Sequence, residues 1–321
     1  MEVFITARVP EDVLVRICSD HAVEIHDEDQ PINRARMLKG VENKEGLLCT
    51  ITDRIDKEVL ERAPVLKLIA NNGVGFDHID IEAATARRIP VTNTPGVLTD
   101  ETADLTFALI LACARRIVEG DRMTREGEFK YWAPLHFLGL RVSGKILGIV
   151  GFGRIGEAVA RRARGFDMKV LYHSRTRLGP SQEKHLGVSY APFDELLREA
   201  DFVTLHVPLG PSTRHLIGSP ELEIMKPSAC LINTARGPVV DEKALVEALR
   251  HGRIRGAGLD VYENEPELSP GLADLKNAVL LPHMGSATIE TRTKMALMAA
   301  ENLLAGLRGD RPPNCLNWER F

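Results

Sequence analysis

The stretch Ile146-Leu147-Gly148-Ile149-Val150-Gly151-Phe152-Gly153-Arg154-Ile155-Gly156 decides how the rest of the chain is read. Its first five residues have the apolar character of a buried strand, and residues 157–164 carry the spacing of a helix. Between them stands G-x-G-x-x-G. Gly151 permits a tight turn, Gly153 lets the backbone approach a pyrophosphate, and Gly156 lets the helix pack close against the strand. The helix amino terminus then faces the anion, with Arg154 and Ile155 beside it. Glycine patterns of this kind are common by chance. The strand before, the helix after and a second strand at Lys169–Tyr172 make this one a dinucleotide site.

The end of that second strand bears on which dinucleotide is bound. Sites for NAD usually place Asp or Glu there, roughly 20 residues past the glycines, to bind the ribose 2′-hydroxyl. This chain instead has His173-Ser174-Arg175-Thr176-Arg177. Ser174, Arg175, Thr176 and Arg177 offer hydroxyls and guanidinium groups suited to a 2′-phosphate, which Arg pairs with bidentately. The alternative is a solvated basic turn that tolerates NAD. The expectation is NADP by preference, with NAD second.

Working outward, short Val/Ile/Leu-rich runs alternate with amphipathic segments, the mark of βαβ units and parallel sheets. Before the glycine loop the candidate strands are Val3–Ala7, Ala22–His26, Gly46–Ile51, Leu66–Ala70 and Pro90–Thr92, closed by the turn Asn93-Thr-Pro-Gly96. A long helix is expected from Asp100-Glu101 to Arg115-Arg116, with acidic residues at its positive end. After the loop the candidates are Phe202–His206, Ala229–Thr234, Gly258–Val261 and Ala278–Leu281, then a final helix from about Ala287 to Leu307. Two doubly wound α/β units fit this better than one very large sheet.

Composition narrows the classes. The 321 residues are 44% apolar and 27% charged, ordinary for a globular protein. Lys plus Arg number 41 against 45 Asp plus Glu, a net charge of −4, so no basic field exists for nucleic acid. The longest apolar run, Ala108 to Ala114, is far short of the roughly 20 residues of a membrane span. Five scattered cysteines without a CxxC indicate neither a disulfide framework nor a metal site. The amino terminus reads as a strand and not as a signal peptide, so a reduced, cytoplasmic protein is expected.

Three further segments place reactive side chains just past strand ends, where open α/β sheets bind ligands. They are Asn233-Thr234-Ala-Arg236-Gly237, Asp260-Val-Tyr-Glu263-Asn-Glu265-Pro266 and Pro282-His283-Met-Gly-Ser-Ala-Thr288. With the glycine loop, Asn93–Gly96 and Asn71-Asn72-Gly73-Val74-Gly75-Phe-Asp77-His-Ile-Asp80, they run in order along essentially the whole chain. This set resembles the D-2-hydroxyacid dehydrogenase family, and within it the glyoxylate/hydroxypyruvate reductases. The resemblance implies a flavodoxin-like substrate domain, residues 1–96 and 287–321, split around an inserted Rossmann domain, residues 97–286. It also implies Arg236, Glu265 and His283 as the catalytic set.

The chemistry asks for those residue types. Reducing a 2-oxo acid needs a fixed cation for its carboxylate and carbonyl, which Arg236 supplies, and a proton donor for the developing alkoxide, which is His283. Glu265 would hold the imidazole and favour its charged form. Asn72, Gly73, Val74 and Gly75 should cradle the substrate carboxylate with backbone N–H groups. His206 and Pro208 resemble the segment beside the nicotinamide ribose, a steric role, and Thr102, Thr234 and Asp260 resemble further cofactor neighbours. Trp132, in the aromatic stretch Tyr131–Gly139, resembles a dimer-interface residue that walls the partner's pocket. The expected partners are a small 2-oxo or 2-hydroxy acid and a second copy of the chain, with no nucleic acid and no membrane. Alternatives are a 2-ketogluconate reductase, separated by pocket size, and a nicotinamide-sensing binding protein of the same fold.

Overall fold

Runs of four or five apolar residues become strands when both faces of a sheet are covered, and most strands of this chain are of that kind. The computed structural model describes all residues, 1–321. The chain begins with β1 (Glu2–Ile5), α1 (Glu11–Cys18), β2 (Ala22–Ile25), α2 (Arg34–Gly40), β3 (Gly46–Cys49), α3 (Lys57–Arg62), β4 (Leu68–Asn71), α4 (Ile81–Ala86) and β5 (Val91–Thr92). It continues with α5 (Thr99–Arg115), α6 (Ile117–Arg125), β6 (Ile146–Val150), α7 (Arg154–Ala163), β7 (Lys169–His173), α8 (Pro180–Leu186), β8 (Val188–Tyr190), α9 (Phe193–Glu199) and β9 (Phe202–Leu205). Then follow α10 (Ser219–Ile224), β10 (Cys230–Asn233), α11 (Glu242–Arg250), β11 (Gly256–Leu259), β12 (Ala278–Leu280) and α12 (Ile289–Leu307). The chain divides into two units, Met1–Leu98 with Ala287–Phe321, and Thr99–Ser286.

In the first unit five parallel strands lie in the order β2-β1-β3-β4-β5, the flavodoxin-like order. Alternation along the strands sends side chains to opposite faces. Phe4, Leu47, Cys49 and Ile69 pack with Met37, Val59 and Ala84 of α2, α3 and α4. Val3, Ile5, Leu48 and Leu68 pack with Val13 and Ile17 of α1 and with Ala296, Ala299, Ala300 and Leu303 of α12. The last helix therefore closes the sheet that the first residues open.

The second unit has seven parallel strands in the order β12-β11-β10-β9-β6-β7-β8. Counted within the unit, six of them reproduce the Rossmann order, and the seventh extends the edge. The order reverses between β6 and β9, which puts the glycine loop at the switch point where such sheets bind ligands. Two α/β units with parallel sheets thus agree with the expected fold class.

Several local expectations change. β8 was not anticipated: it is three residues long at a sheet edge, and only Val188 is buried. Arg116 takes a left-handed conformation, φ 55°, which ends α5 and starts the unexpected α6. β11 begins at Gly256 and stops at Leu259, two residues before the predicted Gly258–Val261, so Asp260 lies past the strand. α12 starts at Ile289 because the Thr288 hydroxyl caps it, accepting from the Thr291 amide at 3.2 Å.

Candidate active site

The three glycines of the β6–α7 turn are required for different reasons. Gly151 has φ +93°, and a Cβ there would lie 2.5 Å from the His206 carbonyl oxygen. A Cβ on Gly156 would collide with the Gly151 oxygen, so helix and strand meet at backbone contact. Around Gly153 nothing approaches within 4 Å of the same position. Gly153 is the residue before α7 and has no capping side chain, so the first helix amides face open space with the positive end of the helix dipole. Backbone donors beside open space at Gly153 fit a pyrophosphate. Arg154 is exposed and Ile155 half-buried at its side.

Past β7, the Ser174 hydroxyl donates to the Thr176 carbonyl at 2.5 Å, which folds the turn on itself. Arg175 and Thr176 are exposed. Arg177 is engaged elsewhere: it pairs with Glu183 at 3.0 Å and lies over the Tyr190 ring. Hydrogen bonds from Arg177 and from the Tyr172 hydroxyl hold the Glu183 carboxyl below its usual range. At the end of β9 both ring nitrogens of His206 are enclosed without a hydrogen-bond partner. Burial pushes this imidazole down to about 3, so it is neutral and has no acid to offer. Pro208 is exposed, and its carbonyl accepts from the Thr213 hydroxyl at 2.7 Å.

Arg236, Glu265 and His283 follow β10, β11 and β12, three strands side by side in one sheet. Asn233 pins the first turn: its Nδ2 donates to the Arg236 carbonyl at 2.9 Å, and its Oδ1 accepts from the Ala235 amide at 3.0 Å. The Arg236 Nη1 donates to the Ala235 carbonyl at 2.7 Å. Gly237, next in the chain, lies so near the following loop that a Cβ would overlap the Tyr262 carbonyl. Within that loop the Tyr262 amide donates to Glu265 Oε1 at 3.0 Å. Glu265 Oε2 meets His283 Nδ1 at 2.7 Å. Burial raises the Glu265 pKa, but the bond and charge of His283, the Tyr262 amide and the charge of Arg236 together bring it below normal.

His283 itself has φ 51°, a conformation unusual for a side chain of this size and found where surroundings over-determine the backbone. Its neighbours do so. Asp260, 1% exposed, accepts from the Met284 amide at 2.7 Å and the Gly285 amide at 2.8 Å. Burial pushes the Asp260 carboxyl up against these two bonds. The Thr102 hydroxyl donates to the Gly285 carbonyl at 3.1 Å. Thr234 shares a hydroxyl contact of 3.0 Å with Thr106, which donates to the Thr102 carbonyl at 2.8 Å. Asp260, Thr102 and Thr234, expected beside the cofactor, are thus engaged in bonds that hold the strand ends and the His283 turn.

In the first unit, Asn72, Gly73, Val74 and Gly75 form the turn after β4. Asn71 Nδ2 donates to the carbonyls of Gly73 and Gly75 at 3.1 and 2.8 Å, and Asn93 Nδ2 donates to that of Val74 at 2.8 Å. Trp132 has 79% of its surface exposed. Phe129, Tyr131, Leu135 and Leu138 are exposed around it.

One group escaped the sequence reading. Glu242, Glu263 and His215 form a second carboxylate–imidazole cluster, with His215 Nε2 and Glu263 Oε1 at 2.6 Å. Asp241-Glu242 looks like an ordinary helix start, and Asp241 does cap α11. Nothing in that pattern distinguishes a solvated first-turn acid from one that is 2% exposed.

Residues 107–285 match the sequence family described as D-isomer specific 2-hydroxyacid dehydrogenase, NAD binding domain. The chain belongs to the D-2-hydroxyacid dehydrogenases. It is 53% identical over 320 residues to the glyoxylate reductase of Thermococcus litoralis, covering 98% of this chain and 96% of that one. A crystal structure of a Thermus thermophilus protein, 51% identical, matches with a TM-score of 0.92 over 98% of this chain and 100% of its own. The NADPH-dependent glyoxylate/hydroxypyruvate reductase of Sinorhizobium meliloti, solved with NADP and malonate, matches at 0.85 and 32% identity, covering 98% and 96%. The β6–α7 turn lies within the matched NAD binding domain. No helix is long and apolar enough to cross a membrane.

Proposed function

We propose that this dehydrogenase reduces glyoxylate and hydroxypyruvate to the corresponding 2-hydroxy acids, preferring NADPH. The observation that carries the reading is the 2.7 Å Glu265–His283 pair, with Arg236 close enough to lower the Glu265 pKa. Arg236 presents a permanent cation in a planar fork and binds the substrate carboxylate and carbonyl oxygen. Glu265 occupies Nδ1 of His283, which fixes the ring and leaves Nε2 to face the substrate oxygen. His283 then donates its proton to that oxygen as the carbonyl is reduced, and takes it back in the reverse reaction. The bound nicotinamide supplies the hydride. The Asn72 amide, expected in the cradle, donates instead to the Cys49 carbonyl at 2.8 Å; with the carbonyls of Gly73, Val74 and Gly75 held by Asn71 and Asn93, the amides of these three residues are the groups we assign to the substrate carboxylate.

Three features support the finer points. Arg175 is exposed at the end of β7 and no carboxylate stands beside it in the turn, which favours a 2′-phosphate. Arg177, tied to Glu183, contributes less than its place in the sequence suggests. The neutral, enclosed His206 suits steric placement of the nicotinamide. The exposed Trp132 and Leu135, 79% and 84% open, with the side chains around them, form an apolar surface that a second copy of the chain would bury. On that reading the enzyme is a homodimer and Trp132 walls the partner's pocket, keeping it small. The scattered thiols, two of them buried, suit the cytoplasm.

Initial rates with 2-oxo acids of graded size, each with NADPH and NADH, test the reading. Glyoxylate and hydroxypyruvate with NADPH should give the highest kcat/KM. A preference for 2-ketogluconate or phenylpyruvate would overturn the substrate assignment, and a clear NADH preference the cofactor assignment.

A further inference from the structure

The loop that carries Glu265 spans residues 260–269 and has no regular secondary structure of its own beyond a single bridge between Asn264 and Glu267. It is nonetheless held at two points by one side chain. Glu242, in the first turn of α11, is 2% exposed. Its Oε1 accepts from the Glu263 amide at 2.5 Å and its Oε2 from the Ser269 amide at 3.3 Å. These two amides lie on either side of Glu265. The Glu242 amide in turn donates to Glu263 Oε2 at 3.4 Å, and Glu263 Oε1 meets His215 at 2.6 Å.

A buried carboxylate is costly unless hydrogen bonds and local dipoles compensate it. Glu242 has both, the two loop amides and the positive end of α11, and that arrangement fixes the loop in return. The clamp reaches the other side of the site as well. The His215 amide donates to the Pro238 carbonyl at 2.8 Å, in the turn that bears Arg236. Through Gly237 that turn touches the Tyr262 carbonyl, immediately before Glu263.

We propose that Glu242 is a positioning residue for the reaction: it sets the Glu265 carboxylate against His283 by bridging both flanks of the loop, without touching substrate or cofactor itself. The proposal rests on the assignment of Glu265 and His283 made above. Glu242→Gln keeps the shape and one acceptor but turns an N–H group toward one of the two amides, so one flank is released.

The test is a double-mutant cycle on the full-length, NADPH-loaded enzyme. E242Q should lower kcat for glyoxylate about tenfold, with the NADPH Kd within about twofold of wild type, because the β6–α7 cradle is untouched. Its acid limb should move up toward the ordinary carboxylate range as Glu265 loses its alignment. Above all, E242Q/E265Q should be no slower than E265Q alone, since both act through one carboxylate. Losses that multiply, or an E242Q enzyme with wild-type kcat, would overturn the proposal. Should E242Q fail to fold, hydrogen exchange on the wild-type protein decides: the Glu263 and Ser269 amides should be protected, and solvent-like exchange at both would refute the clamp. If His283 variants kept full activity the catalytic assignment itself would fall, a result distinct from either.

Discussion

Glu265→Gln probes the Glu265–His283 pair with the least disturbance. The carboxamide keeps the size of the side chain and, with its one acceptor oxygen turned to His283 Nδ1, still holds the ring, while its N–H group faces the Tyr262 amide. What disappears is the charge opposite an imidazolium 2.7 Å away. Hydrogen bonds to charged groups contribute about 1.5–3 kcal/mol. The two side chains are 34% and 29% exposed, so solvent screening puts this one at the lower end, about 1.5 kcal/mol. At about 1.4 kcal/mol per factor of ten, kcat/KM for glyoxylate reduction near neutral pH should fall about tenfold.

The pH profile adds an independent signature. Burial raises Glu265, but His283, the Tyr262 amide and Arg236 outweigh it and depress the folded-state value. A depressed carboxylate gives its support above its unfolded value and loses it only as pH falls through the folded one. The acid limb of wild-type kcat/KM should therefore lie below the ordinary carboxylate range, and E265Q should lack it. Initial rates of NADPH oxidation by absorbance, taken from acid to neutral pH, measure both quantities. Activity within about twofold of wild type, or an unchanged acid limb, would refute the role given to this carboxylate.

Other consequences can be checked separately. Gly153→Ala should leave stability within about 0.5 kcal/mol of wild type, because its methyl meets nothing, yet weaken NADPH binding about tenfold or more by filling the cradle. Gly151→Ala should instead destabilise by about 2 kcal/mol or more in thermal or denaturant unfolding, since φ +93° and the His206 backbone both oppose a side chain. Arg175→Ala should cost NADPH about tenfold in kcat/KM and leave NADH within about twofold; equal losses with both would remove Arg175 from the 2′-phosphate. Leu135→Asp, at a position 84% exposed in one chain, should shift sedimentation toward monomer, and an unaltered dimer would exclude that surface as the interface.

The layout of the fold is legible in the sequence because buried parallel strands are nearly continuous apolar runs and the glycine loop marks the switch point. Eleven strands could be placed that way; β8 could not, since three edge residues with one of them buried carry no period. Arg236, Glu265 and His283 stand out by their motifs and by sitting past strand ends. Their supports do not. Asp260 reads only as a ligand contact, and nothing in the spacing tells that both its oxygens hold the His283 turn. Arg177 reads like a phosphate ligand, but a glutamate six residues on, in the first turn of α8, has claimed it. Glu242 reads like a helix start. In each case the deciding fact is which backbone amide or side chain arrives from a distant segment, and spacing along the chain does not encode that.

The central claim is that His283 is the proton donor. Replacing it with Gln and measuring kcat with saturating NADPH and glyoxylate, alongside the NADPH Kd by fluorescence titration, tests this most directly. A loss of turnover of about a hundredfold or more with nearly unchanged cofactor affinity is the outcome the geometry requires. Turnover within about threefold of wild type would contradict it.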